Sequence, residues 1–193
     1  METIEVKRKE FEVLETLGER SYKASRKGKV FFIKKYEGHK EEFESFIKSA
    51  KRLSITAIPT PKVILYDKHK MIVIMQYIEG ENILDLLVKH DISEELIELI
   101  FKIDFCARNE KMLLNYYPEH FKFDGKKLYY LAFTFDPFEK EKAFAQVGIR
   151  YWFYTKELVD YLKGKGLPVD PYRVGNEYAK NKEMALAICK YYR

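Results

Sequence analysis

The stretch KMLLNYYPEHFKFDGKKLYYLAFTFD, residues 111–136, decides the fold prediction for this chain. It starts with apolar residues, continues through a polar loop that contains Pro118, and then has two strand-like segments on either side of Asp124-Gly125. An Asp-Gly pair between two such segments is a strong signal for a tight turn that joins antiparallel strands. We therefore predict a β-hairpin over residues 121–135, with the preceding loop available to carry functional side chains.

The composition indicates a folded protein, either one domain or two small lobes. The chain has 193 residues, of which 47% are hydrophobic, enough for a substantial core. Abundant Lys and Glu with little Gln resembles the composition of hyperthermophile proteins. The 35 basic and 30 acidic residues are interleaved, so the net charge of +5 indicates a salt-bridged surface. That charge permits an anionic partner but does not favour nucleic-acid binding.

The N-terminal segment and the cysteines both point to the cytoplasm. The start, METIEVKRKEFEV, is too charged for a signal peptide, and no apolar run approaches the ~18–20 residues that a membrane span needs. Cys106 and Cys189 stand far apart without a CxxC motif, which is typical of buried thiols in a reducing compartment. We therefore expect a soluble, cytoplasmic protein.

Residues 11–36 alternate as strands do, with turns at residues 18–22 and 27–28. Lys34 lies near the end of the last of these strands, on the same face as Phe32. A desolvated ammonium group is costly without a carboxylate partner, and the next segment can provide one.

A helix is predicted next, because residues 40–53 carry apolar side chains at intervals of three and four. Glu44 lies at the edge of this apolar stripe, with Glu41 one turn earlier. We therefore expect an ion pair between Lys34 and Glu44, or failing that Glu41. The alternative is a surface lysine beside a solvated helix face.

Ile-Pro-Thr-Pro, residues 58–61, ends that helix, because proline disfavours helical geometry in the residue before it. The segments VILYD and MIVIMQYI then predict the two strands of a hairpin that turns at residues 67–69. Glu79-Gly80 follows, and after it the apolar start of another helix.

Three more helices and one turn are predicted in the second half of the chain. The first covers residues 92–110 and is largely buried, so that it supports the central hairpin. The others cover Thr155–Lys163, with its first residue as N-cap, and Asn176–Tyr192. Asp136-Pro137 predicts a turn after the hairpin, because Asp before Pro commonly initiates turns.

The order of these segments resembles the protein-kinase-like superfamily. LGERSYKA is similar to the glycine-rich loop, and VFFIKKY is similar to the strand that bears the phosphate-binding lysine. MIVIMQYIEG is similar to the hinge, whose backbone faces the adenine and whose preceding residue is the gatekeeper. On this resemblance the nucleotide-binding residues are Gly18, Lys34, Glu44, Met75, Gln76, Tyr77 and Ile78.

The central stretch resembles the catalytic loop and metal-binding strand of the same superfamily. Asn115 stands where the family has the catalytic Asp, and His120, after Pro118-Glu119, stands where it has a metal-binding Asn. Ala132-Phe133-Thr134 stands in place of Asp-Phe-Gly.

These replacements alter the chemistry that the family uses. The amide of Asn115 does not titrate in the useful range, and Ala132 has no ligand atom. The nitrogen of His120 is a poorer match for Mg²⁺ than an oxygen. We therefore expect the ordinary mechanism to be crippled. Asp124 and Asp136 are the remaining nearby carboxylates, and a site could be rebuilt from His120 and Asp136. No residue is assigned as a metal ligand.

The resemblance implies an α+β fold, the two-lobed protein-kinase-like fold. Residues 1–75 would form an antiparallel N-terminal lobe with one helix, and residues 76–193 a compact, mainly helical lobe that contains the hairpin over residues 121–135. Because only about 115 residues follow the hinge, the RIO-like and lipopolysaccharide-kinase-like branches fit better than a typical protein kinase.

Three functions stay open. The first is a pseudokinase that binds ATP or another ligand in the interlobe cleft with little or no phosphoryl transfer and acts as a scaffold or regulator of a protein partner. The second is an active, atypical phosphotransferase that uses His120, Asp136 and Mg²⁺ or Mn²⁺. The third is a basic-aromatic module that binds RNA or a protein. Phe32 argues against nucleotide binding, because its ring could fill the adenine pocket.

Overall fold

The computed structural model describes residues 2–89, 92–170 and 177–192, without the side chains of residues 177 and 178. The protein is α+β and divides into two compact units. Unit 1 consists of Met1–Ile55 and Thr60–Glu79, and unit 2 consists of Thr56–Pro59 and Gly80–Arg193. In the described part of the chain, no helix has the length and apolar character to cross a membrane.

Unit 1 is an antiparallel sheet with one helix, as the sequence predicts. Its strands are paired in the order β1-β2-β3-β4-β6-β5. They are β1 (Thr3–Val6), β2 (Lys9–Gly18), β3 (Ser21–Arg26), β4 (Lys29–Lys35), β5 (Val63–Asp67) and β6 (Ile72–Gln76). The predicted amphipathic helix is α1 (Lys40–Leu53), and it lies between β4 and β5 in the chain.

The two faces of this sheet carry different side chains, because neighbouring residues of a strand point to opposite sides. One face is a core around Ile33, which is fully buried. On the other face, Lys34 of β4 lies opposite Val73 of β6. Helix α1 packs against this second face, where the Phe43 ring lies 5.8 Å from Tyr36 and 6.4 Å from Tyr66, centroid to centroid.

Unit 2 combines two small sheets with four helices in the part of it that the structure describes. One sheet has the order β10-β9-β7, and the other pairs β11 with β8. The strands are β7 (Glu81–Asn82), β8 (Met112–Leu114), β9 (Phe121–Phe123), β10 (Leu128–Tyr130) and β11 (Phe135–Pro137). The helices are α2 (Ile83–Lys89), α3 (Glu94–Asn109), α4 (Lys156–Gly164) and α5 (Glu177–Tyr191).

The central hairpin is present, but its second strand is shorter than predicted. β9 and β10 pair antiparallel, and the Asp124 carboxylate accepts hydrogen bonds from the backbone of Lys126 and Lys127, at 2.9 and 2.7 Å. The second strand ends at Tyr130, and the chain bends through Phe133, whose φ is 53°.

The predicted turn at Asp136-Pro137 is wrong, because both residues belong to β11. This strand pairs with β8, and Asp136 stands opposite Leu113. Pairing with a distant strand therefore overrides the local turn preference of Asp-Pro. Proline is tolerated here because a two-stranded sheet leaves one edge of each strand without a neighbour.

Gly80 allows β7 to approach β9. Its φ is 130°, and a Cβ built at this position would lie 2.0 Å from the carbonyl oxygen of Phe123. Only glycine fits where another backbone comes so close.

The capping residues agree with the sequence pattern. Thr155 caps α4 by accepting a hydrogen bond from the backbone of Leu158, as predicted. Ser93 does the same for α3, which starts two residues later than the prediction of 92–110. Asn176, where the last helix was predicted to start, lies outside the described residues.

Candidate functional site

Lys34 lies half-buried on the face of the sheet that packs against α1. Its Nζ is 5.0 Å from the centroid of the Tyr36 ring. Burial lowers the pKa of Lys34, the positive charge of Arg20 lowers it further, and the charge of Glu42 acts in the opposite direction. The cation at this position is therefore disfavoured in the protein as it stands.

The expected Lys34–Glu44 ion pair is not formed. The Glu44 carboxylate is largely exposed and lies 3.9 Å from Lys40, one turn earlier on the same helix. The carboxylate whose charge acts on Lys34 is that of Glu42. The face predicted for Lys34 is correct, but the position of its acidic neighbour is off by two residues.

The guanidinium of Arg20 is a second cation close to Lys34. Arg20 follows Gly18 in the turn between β2 and β3, and its Nη2 lies 3.4 Å from Glu42, which also binds His39 at 3.0 Å. Its Nη1 is buried and has no hydrogen-bond partner among the residues that the structure describes. A Cβ at Gly18 would meet nothing within 4 Å, so packing alone does not require glycine there.

The residues predicted as the hinge lie at and after the end of β6, and of these Met75 shares the sheet face of Lys34. Met75 is buried opposite Phe32, and Ile78 is buried two residues after the end of β6. The backbone N–H of Gln76 donates to the carbonyl of Lys62 at 2.8 Å. The ammonium of Lys23 lies over the Tyr77 ring, 4.8 Å from the ring centroid. Phe32 stands between Lys23 and Met75 in the strand pairing and is only partly buried, so its ring is accessible.

In unit 2, Asn115 and Asp136 line the same cavity. Its volume is about 210 Å³, and its wall also includes Tyr117 and Thr134. The strand pairing explains this meeting, because Asp136 stands opposite Leu113, two residues before Asn115. A second cavity of about 160 Å³ shares Asn115 and Tyr117 with the first and adds Lys142 and Tyr151.

The Asn115 loop is held from two sides. The backbone N–H of Asn115 donates to the Tyr130 hydroxyl at 3.2 Å, and that hydroxyl donates to the carbonyl of Thr134 at 2.6 Å. The Asn115 side-chain oxygen accepts from the backbone of Tyr117 at 3.3 Å. The amide hydrogens of Asn115 therefore remain as the donors that it can offer to a ligand.

His120 belongs to a different environment. It ends a 3₁₀ turn and does not line the cavity of Asn115 and Asp136. Burial lowers the pKa of His120, the charge of Glu119 raises it, and the charge of Lys165 lowers it. Within the described ranges, no three His, Cys, Asp or Glu side chains are placed to hold a metal ion together.

The sequence analysis did not identify Asp104 as a residue that positions this loop. Asp104 is fully buried on α3, accepts a hydrogen bond from the Tyr116 hydroxyl at 2.7 Å, and lies 3.0 Å from Nε of Arg108. Burial raises the pKa of Asp104, while Tyr116 and Arg108 act against that rise. A signal was present, since Asp104 interrupts the apolar stripe of the helix and has an arginine four residues later.

Three tyrosines next to the Asn115 cavity were also not predicted as a cluster. Tyr117 and Tyr161 are stacked with ring centroids 5.1 Å apart, and Tyr151 meets both edge-on. Tyr161 donates a hydrogen bond to Glu119, which also binds Lys165 at 2.9 Å. Rings so far apart in the chain cannot be paired from sequence spacing alone.

Comparison with known proteins adds no relative from which a role could be transferred. No protein-family model matches this chain, and a search of curated proteins finds no match either.

Proposed function

We propose that this chain is a kinase-like domain that binds a nucleoside phosphate through unit 1 and transfers phosphate little or not at all. The proposal extends the α+β fold to the two-lobed kinase-like architecture, and it includes a cytoplasmic location. ATP is the expected ligand, and a scaffolding or regulatory role toward a protein partner is the expected use of the binding.

The environment of Lys34 carries this proposal. A partly desolvated ammonium lies close enough to the Arg20 guanidinium for that charge to lower its pKa, and one carboxylate, that of Glu42, opposes both. A phosphate placed here would supply the missing negative charge and accept the hydrogen bonds that Lys and Arg can donate. The buried Nη1 of Arg20, without a partner among the described residues, is one donor that such a ligand would satisfy.

Phe32 does not exclude binding of the adenine base, but it changes where we expect that base to lie. Its ring is partly exposed between Lys23 and Met75, so that an adenine can stack on it. Stacking on an aromatic ring is tolerant of the base, and we therefore expect weak discrimination between ATP and GTP.

The expected lack of phosphoryl transfer rests on unit 2. Asn115 has no titratable group to accept the substrate proton, and Ala132 offers no metal ligand. Positioned acid-base help is typically worth ~10²–10⁴ in rate. Metal stabilisation of the transferred charge is worth several kcal/mol more.

The direct test is to measure the melting temperature of the purified chain with ATP, ADP and GTP, with and without Mg²⁺. We expect a ligand-dependent rise in melting temperature that is lost in Lys34→Ala and reduced in Arg20→Ala. Lys35→Ala is the matched control, because Lys35 is the neighbouring residue on the opposite face of β4. A shift that survives Lys34→Ala, or no shift with any nucleotide, would show the proposal to be wrong.

The active phosphotransferase is the second candidate, and the cavity shared by Asn115 and Asp136 is the observation that favours it. It predicts Mg²⁺- or Mn²⁺-dependent release of γ-phosphate that is abolished by Asp136→Asn and by His120→Ala. The first proposal predicts only background release of γ-phosphate in the unaltered protein and in both variants. The same assay therefore distinguishes the two candidate functions.

An RNA-binding module is the third candidate, and the distribution of charge favours it. Unit 1 has 17 Lys and Arg against 12 Asp and Glu, so the whole net charge of +5 belongs to this unit. Binding of a single-stranded oligonucleotide that weakens steeply with salt and does not compete with ATP would favour this candidate.

A further inference from the structure

The cavity of Asn115 and Asp136 has one charged residue in its wall. The lining consists of apolar Leu113, Leu114 and Phe135, the polar residues Asn115, Tyr117 and Thr134, and Asp136. The Asp136 side chain is exposed and forms no ion pair within the described part of the chain. The fixed charge that a ligand would meet in this cavity is therefore negative.

The second cavity, which shares Asn115 and Tyr117 with this one, adds no uncompensated positive charge. Its one basic residue is Lys142, whose ammonium lies 2.8 Å from the carboxylate of Glu139 and is thereby compensated. The hydrogen bond with Glu139 raises the pKa of Lys142, and the charge of Asp136 adds to that rise. Asp136 and Lys142 therefore attract each other across the two cavities, while the carboxylate of Glu139 lies closer to the Lys142 ammonium.

Aromatic surface completes the site. Tyr117 lines both cavities and keeps about a third of its surface exposed, at 37%. Tyr151, which lines the second cavity, meets the Tyr117 ring edge-on at 4.8 Å between centroids. A carboxylate beside tyrosine rings is the arrangement that holds an alkylammonium group, because the rings attract a cation through their electron-rich faces.

We propose that the cavity of Asn115, Tyr117 and Asp136 is a binding site for a small organic cation that carries an alkylammonium group. The ammonium lies between the Asp136 carboxylate and the Tyr117 ring, and the alkyl chain contacts Leu113 and Leu114. The site belongs to unit 2 alone and does not rest on nucleotide binding in unit 1. The volume of about 210 Å³ suits a chain of a few carbon atoms.

The test uses three probes of nearly equal shape, n-butylammonium, butan-1-ol and butyrate, in titrations of the unaltered protein followed by NMR chemical shifts. We expect saturable shifts of the Asn115, Tyr117 and Asp136 amides with butylammonium at millimolar concentration. We expect at least tenfold weaker binding of butan-1-ol and no binding of butyrate. Equal affinity for the alcohol, or no saturable shift with butylammonium, would overturn the proposal.

Variants give a second, independent measurement. Asp136→Asn should weaken butylammonium binding at least tenfold, and Tyr117→Leu by about threefold to tenfold. Asp160→Asn is the matched control, because Asp160 is an exposed carboxylate on α4 outside both cavities. Circular dichroism of each variant checks that it folds, and an equal loss of affinity in Asp160→Asn would also overturn the proposal. If a variant fails to fold, the comparison of probes on the unaltered protein decides alone.

Discussion

The hydroxyl of Tyr130 accepts a hydrogen bond from the backbone N–H of Asn115 at 3.2 Å, although the two residues are 15 positions apart. The same hydroxyl donates to the carbonyl of Thr134 at 2.6 Å, and the Tyr130 side chain is fully buried. One oxygen atom therefore joins the Asn115 loop to the segment that follows the hairpin.

Replacement of Tyr130 by Phe should loosen both segments. It removes the hydroxyl and leaves an N–H and a carbonyl without this partner, at a cost of ~1–3 kcal/mol in the free energy of unfolding. Hydrogen exchange should report faster exchange of the Asn115 amide. Tyr129→Phe is the control, since Tyr129 is more exposed and hydrogen bonds with Asp124 at the hairpin turn. If the Asn115 amide exchanges at the same rate in both variants, the bridge is not what holds the loop.

Replacement of Lys34 by Met should stabilise the ligand-free protein at neutral pH. The pKa of Lys34 is lowered by burial, so the charged side chain costs free energy in the folded state. Between this lowered pKa and the ordinary value of 10.5, the unfolded chain binds more protons than the folded one. The stability of the unaltered protein therefore rises with pH through this window, and the advantage of Lys34→Met shrinks.

Thermal unfolding of Lys34→Met and the unaltered protein from pH 7 to pH 10.5 measures this effect. The difference in melting temperature should be largest at pH 7 and should fall as the pH rises. Lys35→Met removes a lysine from the other face of β4 and controls for the loss of one positive charge. A destabilised Lys34→Met at pH 7 would contradict the prediction.

Replacement of Gly80 by Ala should prevent correct folding of unit 2. The new Cβ would lie 2.0 Å from the Phe123 carbonyl oxygen, and alanine does not readily adopt the φ of 130°. We expect little soluble protein and the loss of the near-ultraviolet signal of Trp152. Gly164→Ala has open space around its Cβ and should change stability by no more than ~0.5 kcal/mol.

Replacement of the buried Asp104 should lower the free energy of unfolding more than replacement of its hydrogen-bond partner Tyr116. Tyr116→Phe removes one hydrogen bond and should cost ~1–3 kcal/mol in the free energy of unfolding. Asp104→Ala also takes the carboxylate away from Arg108 and should cost more, ~3–5 kcal/mol. Glu98→Ala, which breaks an exposed pair with Lys102 on the same helix, should cost less than ~1 kcal/mol. Urea unfolding measures all three, and a different order would contradict the reading of Asp104 as a positioning residue.

Elements that depend on neighbours in sequence could be predicted from the sequence. Helix α1 follows from apolar spacing, the hairpin turn from Asp124-Gly125, and the start of α4 from Thr155. Each of these signals acts within a few residues, where periodicity and hydrogen bonding to the adjacent backbone decide the conformation.

Features that depend on distant partners could not be predicted. Asp136 was expected in a turn because the sequence cannot show that Leu113 is its partner across two strands. Glu44, with Glu41 as the alternative, was chosen for Lys34 because it lies at the edge of the apolar stripe. The docking of α1 on the sheet instead brings the charge of Glu42 to Lys34. That docking depends on ring contacts such as Tyr36 with Phe43, which no local pattern encodes.

Part of the candidate site was nevertheless anticipated. Asn115 was selected by its position in the motif and Asp136 as a nearby carboxylate, and they line one cavity because β8 and β11 pair. His120 was selected by position in a motif and lies outside that cavity. Membership in a motif does not specify which way a side chain points after a change of residue type.

Residues 56–59 belong to unit 2 although unit 1 surrounds them in the chain. The carbonyl of Pro59 accepts a hydrogen bond from the backbone N–H of Tyr130 at 2.9 Å. Pro59 is synthesised about 70 residues before Tyr130, whose backbone N–H is the donor. The Pro59 carbonyl therefore stays hydrated until much of unit 2 has left the ribosome. A fragment that ends at residue 79 would leave this acceptor permanently hydrated, and a fragment that starts at residue 80 would leave the N–H of the buried Tyr130 without its acceptor. Unit 2 therefore cannot complete its hydrogen bonds without residues 56–59, which the chain supplies from within the sequence of unit 1.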